Sequence, residues 1–88
     1  MTILSASTSC GTAATLIFSC RSSVAEVTVH NHGGGAIHLG TASVVVESGI
    51  HVKNNETVTL KMYAGDSLYA ITETGTATVD LFVSAPNP

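Results

Sequence analysis

Charge is what this 88-residue sequence has least of. Only 10% of its residues are charged, against about a quarter in an average soluble domain. Six acids (Glu26, Glu47, Glu56, Asp66, Glu73, Asp80) and three bases (Arg21, Lys53, Lys61) are scattered singly and leave a formal net charge of −3. Neutralising a phosphate backbone or an anionic bilayer takes clustered Lys or Arg, so neither nucleic acid nor membrane is an expected partner. No apolar run approaches the roughly 18–20 residues of a membrane span, and no basic and apolar leader follows Met1. The expectation is a protein made and used without export.

Cysteine is scarce as well, with only Cys10 and Cys20. A bridge closing so short a loop would contribute about 2–3 kcal/mol. In a reducing compartment, however, a buried thiol serves as a small apolar side chain, and packing residues without a bridge are expected. A sustained helical pattern is also missing: apolar residues at i, i+3, i+4 and i+7 never continue for the ten or more residues that a stable helix needs.

What the sequence does have is alternation. Val58, Leu60 and Met62 alternate with Thr57, Thr59 and Lys61, and Ala77, Val79, Leu81 and Val83 alternate with Thr76, Thr78, Asp80 and Phe82. Both read as strands with one buried face. Ala25, Val27 and Val29 follow the same rule, and Leu16, Phe18 and Cys20 are expected to point inward from a further strand. Shorter β-branched pieces occur at Ile37–Leu39, Ser43–Val46 and Ile50–Val52. Leu68–Thr72 is apolar on both faces, which suits a central strand or one whose outer face packs on a neighbour. Gly33-Gly34-Gly35, Lys53–Glu56, Ala64–Ser67 and Thr74-Gly75 supply turn chemistry between these runs. The fold class expected is all-β: a small antiparallel β-sandwich, jelly-roll-like or Greek key, of seven to eight strands in a single domain.

The ends differ from the middle. Residues 1–14 are mostly Ser, Thr and Ala, too little apolar surface to fold alone, and read as a flexible or extended arm. Residues 15–83 are the expected sandwich, and residues 84–88, closing in Pro86 and Pro88, a tail.

Few residues suggest chemistry. His30 and His32 share one strand face, and a reversal at the three glycines could bring His38 near them, which makes these three weak candidate zinc ligands. The string has no carboxylate neighbours to orient the rings, so neither a metal nor any cofactor is expected. No Gly-x-Ser-x-Gly elbow is present, and the three glycines precede neither a Lys-Ser/Thr pair nor a helix start, so they are no phosphate loop. No catalytic residue is expected and the chain is read as a non-enzyme. Tyr63 and Phe82 fall opposite the core set and Tyr69 lies in the two-faced strand. These three are the candidate interface residues, because aromatic side chains are enriched where proteins meet.

The pieces Val27–Asn31, Ile37–Gly40, Gly49–Val52, Glu56–Leu60, Gly65–Ile71 and Gly75–Val79 together form a pattern that resembles small β-modules of tailed-bacteriophage virions, covering about residues 24–83. Such modules include capsid decoration proteins and parts of tail or fibre proteins. The resemblance implies a decoration, or cement, protein on the capsid exterior. Such a protein would be made in the host cytoplasm, bind the major capsid protein, bridge capsomers and associate with itself as a homotrimer. The alternative it implies is a tail or fibre module for host-surface or carbohydrate recognition.

Overall fold

The computed structural model describes residues 2–21, 23–44 and 49–85. Eight strands follow one another: β1 (Thr2–Cys10), β2 (Thr15–Ser19), β3 (Val24–Gly33), β4 (Ile37–Gly40), β5 (Ile50–Val52), β6 (Thr57–Tyr63), β7 (Ser67–Thr72) and β8 (Ala77–Ala85). No helix occurs among the described residues. The strands form two antiparallel four-stranded sheets, ordered β1-β8-β3-β6 and β2-β7-β4-β5. The chain changes sheet at every connection except β4 to β5, and the resulting order is that of a jelly roll. The expected all-β sandwich is therefore the fold that forms.

Period-two alternation explains the core. Ala25, Val27 and Val29 of β3 and Ala77, Val79, Leu81 and Val83 of β8 turn inward against Ile37 and Leu39 of β4, Val52 of β5, and Leu68 and Ala70 of β7. Met62 closes the core at one side, with Val58 and Leu60 half-buried beside it. The thiols of Cys10 and Cys20 belong to the same cluster. Burial pushes the Cys10 thiol pKa up.

Three expectations are corrected. The segment read as an arm is instead β1, paired antiparallel with β8 over its whole length from Thr2↔Ala85 to Cys10↔Ala77. A backbone ladder needs no apolar sequence once a neighbouring strand is in place, which is why a Ser/Thr run can still form an edge. In β2, the pairing with β7 shifts between Leu16 and Phe18. This bulge turns Ile17 into the core and leaves Leu16 49% exposed, the reverse of the regular alternation. The short strand expected at Ser43–Val46 begins instead as a turn, the Val44 N–H donating to the Thr41 carbonyl; Val45 and Val46 lie outside the described residues. At the other end β8 continues through Ala85, and 86–88 of the expected tail are likewise outside the described residues.

The three-glycine reversal between β3 and β4 is needed for space as well as for backbone freedom. Gly34 has φ of +99°, and a Cβ there would collide with the Thr76 carbonyl oxygen and stand 2.9 Å from Ala77 Cα. Asn31, at the base of this turn, is completely buried. Its Nδ2 donates to the Gly35 carbonyl at 2.7 Å and to the Val52 carbonyl at 3.1 Å, while its Oδ1 accepts from the Gly33 N–H at 3.2 Å. Its backbone N–H donates to the Glu56 carbonyl and its own carbonyl accepts from the Asn55 N–H. One side chain thus ties β3 of the first sheet to β5 of the second and holds the turn between them.

Replacing Asn31 with Ala should remove the amide's hydrogen bonds to the buried Val52 carbonyl and to the part-buried Gly35 carbonyl and Gly33 N–H, and cost about 2–4 kcal/mol. That corresponds to a fall of about 10–30 °C in the midpoint of a calorimetric melt. Asn31→Asp, which keeps the shape but sets a carboxylate oxygen against carbonyls, should destabilise at least as much. Gly34→Ala is expected to lower stability by about 2 kcal/mol or more, through strained φ and the clash with β8.

Candidate functional site

The outer faces of the two sheets differ in kind. Across the first sheet, Ser7, Asp80, His30 and Thr57 stand in one cross-strand row. Ser7 Oγ donates to Asp80 Oδ1 at 3.0 Å, and His32 Nδ1 lies 2.6 Å from Asp80 Oδ2. His30 Nδ1 is 2.9 Å from Thr57 Oγ1, and the His30 and His32 rings meet edge to face at 6.2 Å. His30 and His32 do share a face, as the spacing implies.

The order of these groups decides what they can do. A nucleophilic relay places the imidazole between hydroxyl and carboxylate, so that the ring takes the hydroxyl proton while the acid orients it. Here the carboxylate stands between Ser7 and His32, and Ser7 donates to an acid. The row is a hydrogen-bonded surface ladder, with His32 66% exposed. The hydrogen bond from His32, then that from Ser7, holds the Asp80 carboxyl below its ordinary 3.8.

His38 stands apart from this row. It lies on β4 in the second sheet, where it pairs with His51 and Ile71, and its ring stacks on that of His51 at 4.9 Å. The three histidines considered as zinc ligands are therefore split between opposite outer faces. Among the described residues no group of three or more His, Cys, Asp and Glu is placed to hold a metal ion. His38 is buried although it points away from the core. Its Nε2 lacks a hydrogen bond, with Glu73 Oε1 at 3.7 Å.

His38 is packed against Gly49 and the ring of His51. Val44 fits against Gly40 and Gly49, and a Cβ on Gly49 would stand 2.8 Å from the His38 Cβ and 2.9 Å from the Leu39 carbonyl. Val44 and Ile71 are buried yet do not belong to the central core. They form a small apolar layer on the outside of the second sheet. Beside it, Leu16 of β2 stands opposite Tyr69 of β7, which in turn stands opposite Gly40 of β4. Leu16 is 49% exposed and Tyr69 half-buried, so an apolar strip runs across β2 and β7 of this face, up to the backbone of Gly40.

The structure does not bring the three candidate interface aromatics together. Tyr63 and Phe82 lie on the outer face of the first sheet, Tyr69 on that of the second. Phe82 pairs with Thr28 and Tyr63 with Val24, four residues further along β3 and one strand beyond it. Strand geometry then separates them by about 16 Å. Phe82 stands among Ser5, Thr28 and Asp80, and Tyr63 beside Val24, so each is a separate exposed aromatic. Leu16, which sequence reasoning turned inward, is the residue that completes the apolar strip with Tyr69; only the bulge could have signalled it. Compared with protein-family models, curated proteins and solved structures, the chain matches none.

The depressed pKa of Asp80 sets a pH expectation. Its folded value lies below the unfolded one, so the stability it contributes is present at neutral pH and lost as pH falls below about 3.8 through the folded value. A carbon-13 NMR titration should place the Asp80 midpoint below 3.8 in the wild type, and higher in His32→Ala. Asp80→Asn should lower the melting temperature slightly at pH 7 and leave it unchanged below the folded value, so that its decline toward acid is flatter.

Proposed function

We propose that this chain is a non-enzymatic structural protein of a tailed-phage virion, a decoration protein that docks on the capsid exterior and bridges capsomers. The observation that carries this reading is the apolar strip of Leu16 and Tyr69 on the outer face of a small, nearly uncharged jelly roll. A strip of this kind favours sticking, and the row of Ser7, Asp80 and His32 is ordered wrongly for a relay. Jelly rolls are shared by viral capsid and lectin domains, and this reading agrees with that usage. The low charge and acidic balance favour an outer position over one facing packaged DNA. The major capsid protein is the proposed partner. Self-association, with the trimer implied by the resemblance, would multiply weak single contacts.

The second reading, favoured by the same strip, is a tail or fibre module for host-surface or carbohydrate recognition. A tyrosine ring flanked by apolar side chains suits the apolar face of a sugar.

Purified particles decide between them. Decoration predicts a fixed stoichiometric presence on heads. Tyr69→Ala should weaken rebinding to stripped heads by about 5- to 30-fold, with Tyr63→Ala changing it by less than about threefold. Binding to host cells or glycans that Tyr69→Ala abolishes, with none to heads, would establish the second reading instead.

A further inference from the structure

Four strands form the sheet edges: β1 and β6 in the first sheet, β2 and β5 in the second. A free edge presents unpaired N–H and C=O groups, and proteins ordinarily blunt it by brevity, a bulge, a charge or a proline. Three of these edges are blunted. β5 has three residues, β2 has five and carries the bulge, and β6 carries Lys61.

β1 carries none of these devices. It is nine residues long, TILSASTSC, with no charge and no proline, and it pairs with β8 through every residue without a register shift. Among the described residues no strand occupies its other side. Ala6 pairs with the buried Leu81 and so projects toward the inner side of the sheet, yet it is exposed. The sandwich is open at this edge, on both its backbone and its inner face.

We infer that β1 is a homotypic docking edge, pairing antiparallel with β1 of a second copy of this chain to join the two first sheets into one eight-stranded sheet. A second copy is the occupant that this edge fits. Antiparallel pairing of a strand with itself is closed by a twofold axis, and each residue then opposes one of the same parity, so Ser5, Ser7 and Ser9 stay on the outer face and Ala6 and Thr8 on the inner. An uncharged strand meets its own copy with no like-charge repulsion, and it offers no charge to select a different partner. The length of ladder matches residue for residue. This pairing is independent of the docking strip on the second sheet; it closes a monomer into a dimer, and a trimer into a hexamer when the three twofold axes meet the threefold at right angles.

The test is the mass of the intact protein by light scattering, across a hundredfold range of concentration, compared with Ser5→Lys/Ser9→Lys. Both lysines would stand on the outer face of the edge, away from the core. The wild type is expected to have twice the mass of the variant, and Thr59→Lys on the β6 edge to keep the wild-type mass. Equal masses for wild type and Ser5→Lys/Ser9→Lys at every concentration would overturn the proposal, as would an equal halving by Thr59→Lys. Hydrogen exchange of the unmodified protein gives a second measurement that needs no substitution. Within Ser5–Ser9 every second amide, the set directed away from β8, should gain at least tenfold protection between dilute and concentrated samples, and protection independent of concentration would sink the idea.

Discussion

The side-chain amide of Asn31 is the interaction on which this sandwich turns. A chain that crosses between sheets at nearly every connection must leave and re-enter a dry core repeatedly, and each crossing exposes backbone groups that the ladders no longer serve. Asn31 answers this at the crossing from β3 to β4. With both amide hydrogens and its oxygen engaged, it satisfies one N–H and two carbonyls that belong to the glycine turn and to β5. Thr72 has a lesser version of the role at the crossing from β7 to β8, its hydroxyl donating to the Gly75 carbonyl and its N–H to that of Gly11. The apolar residues press the sheets together, but these buried polar contacts fix how the connections pass from one sheet to the other.

With both inner faces committed to the core, the outer faces are what remains for function, and they are unlike. The first sheet is wet: Ser, Thr, His and Asp side chains hydrogen-bond along and across the strands, and its two aromatics stand apart. On the second sheet Val44 packs on Gly40 and Gly49, Gly49 lies against His38, and the apolar strip of Leu16 and Tyr69 stands beside them. A surface that is apolar beside a rigid, packed patch suits association better than a mobile loop would, because less side-chain freedom is lost on contact. The scarcity of charge in the composition fits such a molecule. It removes long-range repulsion between copies and leaves short-range packing and backbone pairing in control.

The strands were legible in the sequence because one face of each is buried, and burial imposes a period of two that nothing else in the chain imitates. β3, β6 and β8 followed from Val27 and Val29, from Leu60 and Met62, and from Val79 and Leu81. The turns were legible for a different reason: Gly33-Gly34-Gly35, Asn54-Asn55 and Gly65 offer the positive φ that a tight reversal needs, and Gly33, Gly34, Gly35, Asn55 and Gly65 adopt it. β1 was not legible as a strand of this sheet, since its stabilisation is the ladder with β8, a property of the neighbour and not of its own Ser and Thr. The inward turn of Ile17 escaped alternation too, because a bulge inserts one residue and everything before it changes face.

What the sequence by itself determined is the class of fold and the absence of a recognisable reaction motif, since both depend on local residue pattern: alternation, turn residues and the spacing of acids, bases and nucleophiles. Which histidines meet was settled only in three dimensions. His30 and His32 were placed together by strand parity, whereas His38 went to the opposite face because the glycine turn crosses to the other sheet instead of closing a hairpin. The pairing of Leu16 with Tyr69, the separation of Tyr63 from Phe82 and the open edge at β1 likewise follow from strand order and register. These are relations between segments far apart in the chain, and no local pattern encodes them.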